Sequence, residues 1–386
     1  MNVFVIGGCH HNALGVIRSL GEKGIRPYVV IQSDEEKPYI RLSRYISQYW
    51  IVASEQEVLA ILKNEAVHFH GEKAVLITCA DNLSSLVDMN HDELRQWYYL
   101  PGTDEQGRVT RLMDKEVMSQ LGRETRLLVP MSIACSVEQE TIIDIPLPWI
   151  VKPLVSKDGA KTDIERIYTA EQWKKYSKIH RLDVLVQQLI DKDFEFQLIG
   201  LSLRGGEDVI IPGVSHVIRP SATTNTGFLY YTSLDSSFQE VLARSEVFLR
   251  KTGYSGLFSI EFLRGKDGKD YFMEINFRND GNAICVTAAG INLPYMWYLY
   301  HTDGDYRREL AESQVKSVYV MPEFEDLSLV IHRHLSLFSW MKDILHTSRF
   351  MEFDRHDMKP FWSLLAVSIN RWLKKLLHCL STNGYE

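Results

Sequence analysis

The stretch Gly256-Leu257-Phe258-Ser259-Ile260-Glu261-Phe262-Leu263, then Arg264-Gly265-Lys266-Asp267-Gly268-Lys269, then Tyr271-Phe272-Met273-Glu274-Ile275-Asn276 reads as two strands joined by a hairpin turn. Residues two apart on a strand point to one face. Glu274 and Asn276 therefore converge, and Glu261 joins them from the neighbouring strand. Three oxygen donors on one face suit Mg²⁺, with Mn²⁺ as a substitute, because hard cations take carboxylates, amide oxygens, waters and bound phosphates. Arg278, two residues further on, would set a permanent cation beside the same phosphates. Phe258, Ile260, Phe262, Met273 and Ile275 are expected to form the buried face opposite. The competing reading of the trio is an ordinary sheet face with surface acids.

Working upstream, Pro148-Trp149-Ile150-Val151-Lys152-Pro153 is a strand ending in a lysine, followed by the small-residue loop Ser156-Lys157-Asp158-Gly159-Ala160-Lys161. A lysine at a strand end reaches nucleotide phosphates, and a glycine loop closes over them with backbone N–H donors. Lys115 offers another phosphate contact. The apolar strand Val184 to Gln188 runs into Leu189 and Ile190, whose backbone suits an adenine edge, and Glu195 further on suits ribose hydroxyls. In the first hundred residues, strands at 2–6, 27–31, 49–53 and 74–78 alternate with helical stretches at 13–23 and 55–63, which implies a parallel sheet covered on both faces.

The totals narrow the function further. The 386 residues carry 43 Lys and Arg against 50 Asp and Glu, a net charge of −7, which does not favour nucleic acid. A 45% hydrophobic fraction supports a packed core, and the length suggests two or three domains. Cys9, Cys79, Cys135, Cys285 and Cys379 are too scattered for a disulfide framework or a thiolate zinc site, so a reducing, cytoplasmic setting is expected. There is no apolar window long enough to span a bilayer.

Taken in order, Asp114-Lys115, Lys152 with its glycine loop, the hinge at Gln187 to Ile190 with Glu195, Glu261, and Glu274-x-Asn276-x-Arg278 resemble the ATP-grasp superfamily over roughly residues 1 to 300. Gly7-Gly8 with Asn12-Ala13-Leu14-Gly15, Ser43-Arg44-Tyr45 and Thr78-Cys79-Ala80-Asp81 look like the preceding domain of the carboxylate–amine ligases, the group that includes D-aspartate ligase. The resemblance implies a parallel α/β domain over 1–110. An α+β ATP-grasp domain would follow over 111–305, with a lid at about 125–190 and a core at about 191–305, and a helical C-terminal extension over 306–386. It also implies ATP, with Lys115 and Lys152 on phosphates, Gly159 in the closing loop, Gln188, Leu189 and Ile190 on adenine, Glu195 on ribose, and Glu261, Glu274 and Asn276 on Mg²⁺.

The reaction it implies phosphorylates a small-molecule carboxylate, which an amine then attacks, with Lys152 and Arg278 as catalytic cations; an amino acid added to a cell-envelope precursor is one such pairing. Two rival readings are a carboxylase or carbamoyl-phosphate-type enzyme and a non-catalytic ATP-binding protein. This sequence departs from the family at Gln188, where glutamate is common, and at Ser259, where some relatives have arginine.

Asn12 and Asp81 are expected near the acceptor substrate, with His216 and Arg219 as further substrate contacts. His10-His11 and His332-Arg333-His334 read as surface histidines, lacking zinc-helix spacing. Phe361, Trp362, Leu365, Ile369, Trp372, Leu373, Leu376 and Leu380 share a helical face opposite Arg371, Lys374 and Lys375, so segment 361–380 suits docking on the protein body, on a second copy in a homodimer, or peripherally on the inner face of a membrane.

Overall fold

Apolar runs at the start of the chain become β1 (Val3–Gly8), β2 (Tyr28–Gln32), β3 (Gln48–Val52), β4 (Ala74–Thr78) and β5 (Tyr98–Tyr99) of one parallel sheet, in the order β3-β2-β1-β4-β5. The structure is a computed structural model describing residues 1–386 except 70, 137–142, 154–163, 180–182, 222–225, 303 and 383–386, with the helical backbone alone for 371–382. On β1, Val3 and Val5 pack into one core and Phe4 and Ile6 into another, so the strand reads as unbroken hydrophobics instead of an alternation. The order reverses direction at β1, beside which lies β4, and the crevice at the carboxyl ends of such strands is where open α/β sheets hold ligands. Gly7 sits at that end because a Cβ there would fall 2.9 Å from the Cβ of Cys79.

A second, antiparallel sheet is built from β6 (Ser132–Ser136), β7 (Trp149–Pro153), β8 (Glu165–Ile167) and β9 (Asp183–Gln188), ordered β6-β9-β7-β8. The third sheet comprises β10 (Lys192–Leu203), β11 (Asp208–Ile210), β12 (Gly213–Pro220), β13 (Gly227–Ser233), β14 (Gly256–Gly265), β15 (Asp270–Asn276), β16 (Val318–Met321) and β17 (Arg349–Phe350). Its path is β15-β14-β10-β12-β13-β16-β17, with β11 on β10. β11 and β12 are parted at Ile211-Pro212, where proline has no N–H for a ladder. Two helices, Arg108–Leu112 and Lys115–Glu124, connect the first sheet to the second, the later one capped by Asp114. Beyond residue 305 the chain is helical apart from β16 and β17, which extend the third sheet.

The C-terminal segment is tied to the first sheet's helix His11–Gly21 through Arg18, which is 1% exposed. Its guanidinium donates to Asp357 Oδ2 at 3.1 Å and to the carbonyls of Met351, Glu352 and Asp357. Asp357 also accepts from Ser43 Oγ at 2.7 Å and from the backbone N–H of Arg44 at 2.8 Å. Breaking a buried ion pair by removing one partner typically costs about 3–5 kcal/mol. Arg18→Met is therefore expected to lower the unfolding free energy by roughly that amount in urea titration, and a loss under about 1 kcal/mol would contradict this reading of the contact.

Candidate active site

The hairpin forms as the spacing predicts. Glu261 stands opposite Glu274 and Ser259 opposite Asn276 across β14 and β15, while β10 sets Gln197 opposite Glu261 on the other side. One detail differs from the expected face. A bulge after Glu261 moves the ladder from Glu261–Glu274 to Phe262–Phe272, so Met273 is the extra residue. Phe272, 1% exposed, takes the place in the core that the alternation gave to Met273, and Met273 lines a cavity beside Glu274.

That cavity, of about 870 Å³, lies between the second and third sheets. Glu195, Gln197, Glu261 and Glu274 line it from the large sheet, Lys152 and Gln187 from the small one, and Lys115 from the start of its helix. Lys115 is placed by Asp114, whose Oδ1 accepts the N–H groups of Glu116 at 2.9 Å and Val117 at 3.1 Å. Lys152 Nζ donates to Gln187 Oε1 at 3.2 Å. Burial, reinforced by the charge of Lys115, pushes the Lys152 ammonium below its ordinary pKa, with Glu274 opposing.

Burial drives the Glu261 carboxyl well above the usual carboxylate range, and Glu274 and Asp280 add to the rise. Glu274 is also raised by burial, against the pull of Lys115. Neutral amides supply the direct donors to Glu261: Gln197 Nε2 at 3.3 Å and Asn276 Nδ2 at 3.2 Å. Asn276 Oδ1 in turn accepts from Arg278 Nη2 at 3.0 Å, and Gln197 Oε1 from Asn282 Nδ2 at 2.9 Å. Two facing carboxyls are thus raised by desolvation, and amides contact that of Glu261. Such a donor set fits a hard divalent cation.

Arg278 links this cluster to a second cavity of about 410 Å³ at the carboxyl ends of β1 and β4, lined by Gly8, His10, Asn12, Asp81 and Asp280 among others. Its Nε and Nη2 bind Asp81 at 2.8 and 3.0 Å, and Nη1 lies 3.4 Å from Asp280. The Arg278–Asn276–Glu261 chain is thus a wall shared by the two spaces.

Solved structures share this architecture. N5-carboxyaminoimidazole synthetase from Staphylococcus aureus aligns with a TM-score of 0.63 at 15% identity, over 86% of this chain and 88% of that one. L-amino acid ligase from Bacillus licheniformis aligns at 0.59 and 15%, over 82% and 78%. The biotin carboxylase domain of 2-oxoglutarate carboxylase from Hydrogenobacter thermophilus, solved with MgADP and bicarbonate, aligns at 0.58 and 14%, over 83% and 73%. The chain has the ATP-grasp fold. No protein-family model matches it, and no curated protein matches it in sequence.

Within this ATP-grasp fold, the structure brings Lys115, Lys152, Glu195, Glu261 and Glu274 around one cavity, with Asn276 and Arg278 bonded to its edge. Glu195 accepts from Lys192 Nζ at 2.6 Å. Gly159 lies outside the described residues. Gln188, Leu189 and Ile190 are not among the residues lining the cavity; strand alternation on β9 turns Leu185 and Gln187 inward and buries Val184 and Val186 on the other face. The backbone N–H groups of Gln188 and Leu189 donate to Met131 O and Pro148 O at 2.8 and 2.9 Å.

Asn12 lines the second cavity with its amide engaged, donating to Cys79 O and Asn279 O, both at 2.9 Å, and accepting from Asn279. His216 and Arg219 are not among the residues lining either cavity. Alternation on β12 turns Val217 to the large cavity and His216 toward Phe194 and Phe238. Arg219 is held by Asp326 at 2.6 Å and Asp343 at 2.9 Å.

His10 and His11 are not surface histidines. His11 is 3% exposed, and it sits between Glu352 at 3.2 Å and Thr226 at 3.1 Å. His10 Nδ1 accepts the N–H of Asn12 as a helix cap. Although His10, His11 and Glu325 bring ligand atoms within 4.8 Å of one another, these existing bonds occupy both nitrogens of His11 and one of His10. Sequence reasoning set Gln187 at the start of the hinge without giving it a role, and missed Gln197 and Asp280. Gln197 was within reach of it, standing two residues after Glu195 on one strand.

The raised carboxyls give a pH dependence with a definite sign. A group whose folded pKa is raised contributes stability at low pH that is lost as pH rises through the folded value, and a cation can bind only after the protons leave. Stabilisation of the fold by Mg²⁺ with ADP is therefore expected to grow in thermal unfolding as pH rises above the ordinary carboxylate range. Glu261→Gln should raise the melting temperature of the unliganded protein at the alkaline end and remove the Mg²⁺ response; an unchanged response would contradict the assignment.

Proposed function

We propose that the chain is an ATP- and Mg²⁺-dependent ligase that joins a carboxylate to an amine through an acyl phosphate. The observation that supports this most is the facing pair Glu261–Glu274, with Asn276 and Arg278 beside it and Lys115 and Lys152 lining the same 870 Å³ cavity. In this reading Lys115 and Lys152 hold the ATP phosphates, Gln188, Leu189 and Ile190 meet the adenine, Glu195 meets the ribose, and the loop at Gly159 closes over the phosphates. Mg²⁺ held by Glu261, Glu274 and Asn276, or Mn²⁺ in its place, would neutralise charge on the phosphates. The division proposed from the sequence, 1–110, 111–305 and 306–386, makes the four-stranded sheet the moving lid.

The carboxylate oxygen attacks the terminal phosphorus and ADP leaves. The amine then attacks the acyl carbon, and phosphate departs from a tetrahedral intermediate. Arg278 stabilises the charge that develops on these oxygens from the wall between the cavities. Asn12 and Asp81 place the acceptor side in the smaller cavity. Closure excludes water, which protects the acyl phosphate from hydrolysis. The shared fold of an L-amino acid ligase and of N5-carboxyaminoimidazole synthetase supports the choice of reaction class, and addition of an amino acid to a cell-envelope precursor is the pairing to test first.

Phosphate release from ATP is expected only when a suitable acid and amine are both present in a pooled screen. Lys152→Ala and Glu274→Ala should each lower that turnover by about 100-fold or more with the fold retained. Normal turnover in both variants would overturn the proposal. ADP release driven by bicarbonate would move the reaction to carboxylase or carbamoyl-phosphate chemistry, and nucleotide-dependent stabilisation with no turnover would leave a nucleotide-binding protein.

A further inference from the structure

The helix Leu337–His346 has no buried residue. Phe338 is 83% exposed and Leu345 85%, with Leu337 and Met341 also open to solvent. At about 100° per residue, these four side chains fall within one arc of roughly 100°, and Asp343 lies on the far side. Asp343 binds Arg219 at 2.9 Å, so the helix is fastened to the body by its polar side and presents its apolar side outward. Exposed apolar residues scattered singly need no explanation, whereas a row along an anchored helix does.

Charge in this region runs opposite to the rest of the molecule. Residues 331–386 hold eight Lys and Arg against five Asp and Glu, leaving 35 against 45 in residues 1–330. Four of those five acids are turned inward: Asp343 to Arg219, Glu352 to His11, Asp354 to Arg349 and Asp357 to Arg18. Arg333, Lys342, Arg355 and Lys359 are exposed. Phe361 fixes the start of the last helix, Met358–Thr382, against Phe324 and Phe353, while Trp362 and Ile369 remain exposed. The sequence continues that helix through Arg371, Trp372, Lys374 and Lys375. Among the described residues no helix is long and apolar enough to cross a membrane.

We infer that this C-terminal face docks on the surface of an anionic phospholipid bilayer, with Phe338, Met341 and Leu345 entering the headgroup boundary and the surrounding Lys and Arg meeting lipid phosphates. An amphipathic helix with apolar insertion and basic flanks binds by both terms together, and the basic term weakens with salt. Net charge complementarity selects a lipid surface over a second copy, since a copy's body is acidic but its own matching face is basic and would repel across a two-fold axis.

Full-length protein should co-sediment with vesicles of phosphatidylcholine mixed equally with phosphatidylglycerol, bind phosphatidylcholine alone at least about tenfold less well, and release with added salt. The double variant Phe338→Ser, Leu345→Ser should lose about tenfold or more in vesicle affinity, and Lys374→Glu, Lys375→Glu should do the same at low salt, with nucleotide-induced stabilisation unchanged in both. No binding to anionic vesicles, equal binding of the first variant, or a wild-type dimer that the first variant dissociates would each overturn the inference.

Discussion

Two like charges facing each other across a hairpin are the constraint around which this molecule is organised. Glu261 and Glu274 are cross-strand neighbours in a partly buried setting, and both carboxyls resist ionisation there. A folded chain keeps such a pair only where something else compensates it. The amides of Gln197 and Asn276 offset part of the cost to Glu261, and Lys115 and Lys152 act on Glu274 across the cavity. Register matters accordingly, because a one-residue slip would send both carboxylates into the apolar layer of Phe258, Ile260 and Phe272. The bulge after Glu261 lets the strand hold the pair in line while still delivering Phe272 to the core.

Much of the remaining structure serves to bring elements distant in sequence to this pair. Arg278, just after β15, reaches Asp81 just after β4, joining the parallel sheet to the third sheet. Arg18 and Asp357 bind the first helix to the last segment, and the same segment presents Glu352 to His11 under the smaller cavity. Burial lifts the Glu352 carboxyl to about 7, so this inner contact also depends on keeping water away. One consequence is that the two cavities share a wall of hydrogen bonds.

Period and spacing made the central features legible in the sequence. Strand alternation put Glu261, Glu274 and Asn276 together, and the apolar runs of the first hundred residues announced the parallel sheet. Local rules stop where long-range partners decide. Arg219 looks like a ligand-facing cation until Asp326 and Asp343, more than a hundred residues away, are placed against it. His11 is polar by type and buried by tertiary context, while Gln187 and Gln188 differ only in which face of β9 they occupy. The bulge at Met273 leaves no mark in periodicity, and β16 and β17 are too short to stand out from the helices around them.

The claim that the facing glutamates seat a divalent cation under the phosphates is tested most directly by anomalous scattering from crystals grown with Mn²⁺ and ADP. An Mn²⁺ peak is predicted within about 2–2.5 Å of carboxylate oxygens of Glu261 and Glu274 and in contact with a phosphate oxygen. A nucleotide bound in the large cavity with its metal elsewhere, and both glutamates left without one, would contradict the account.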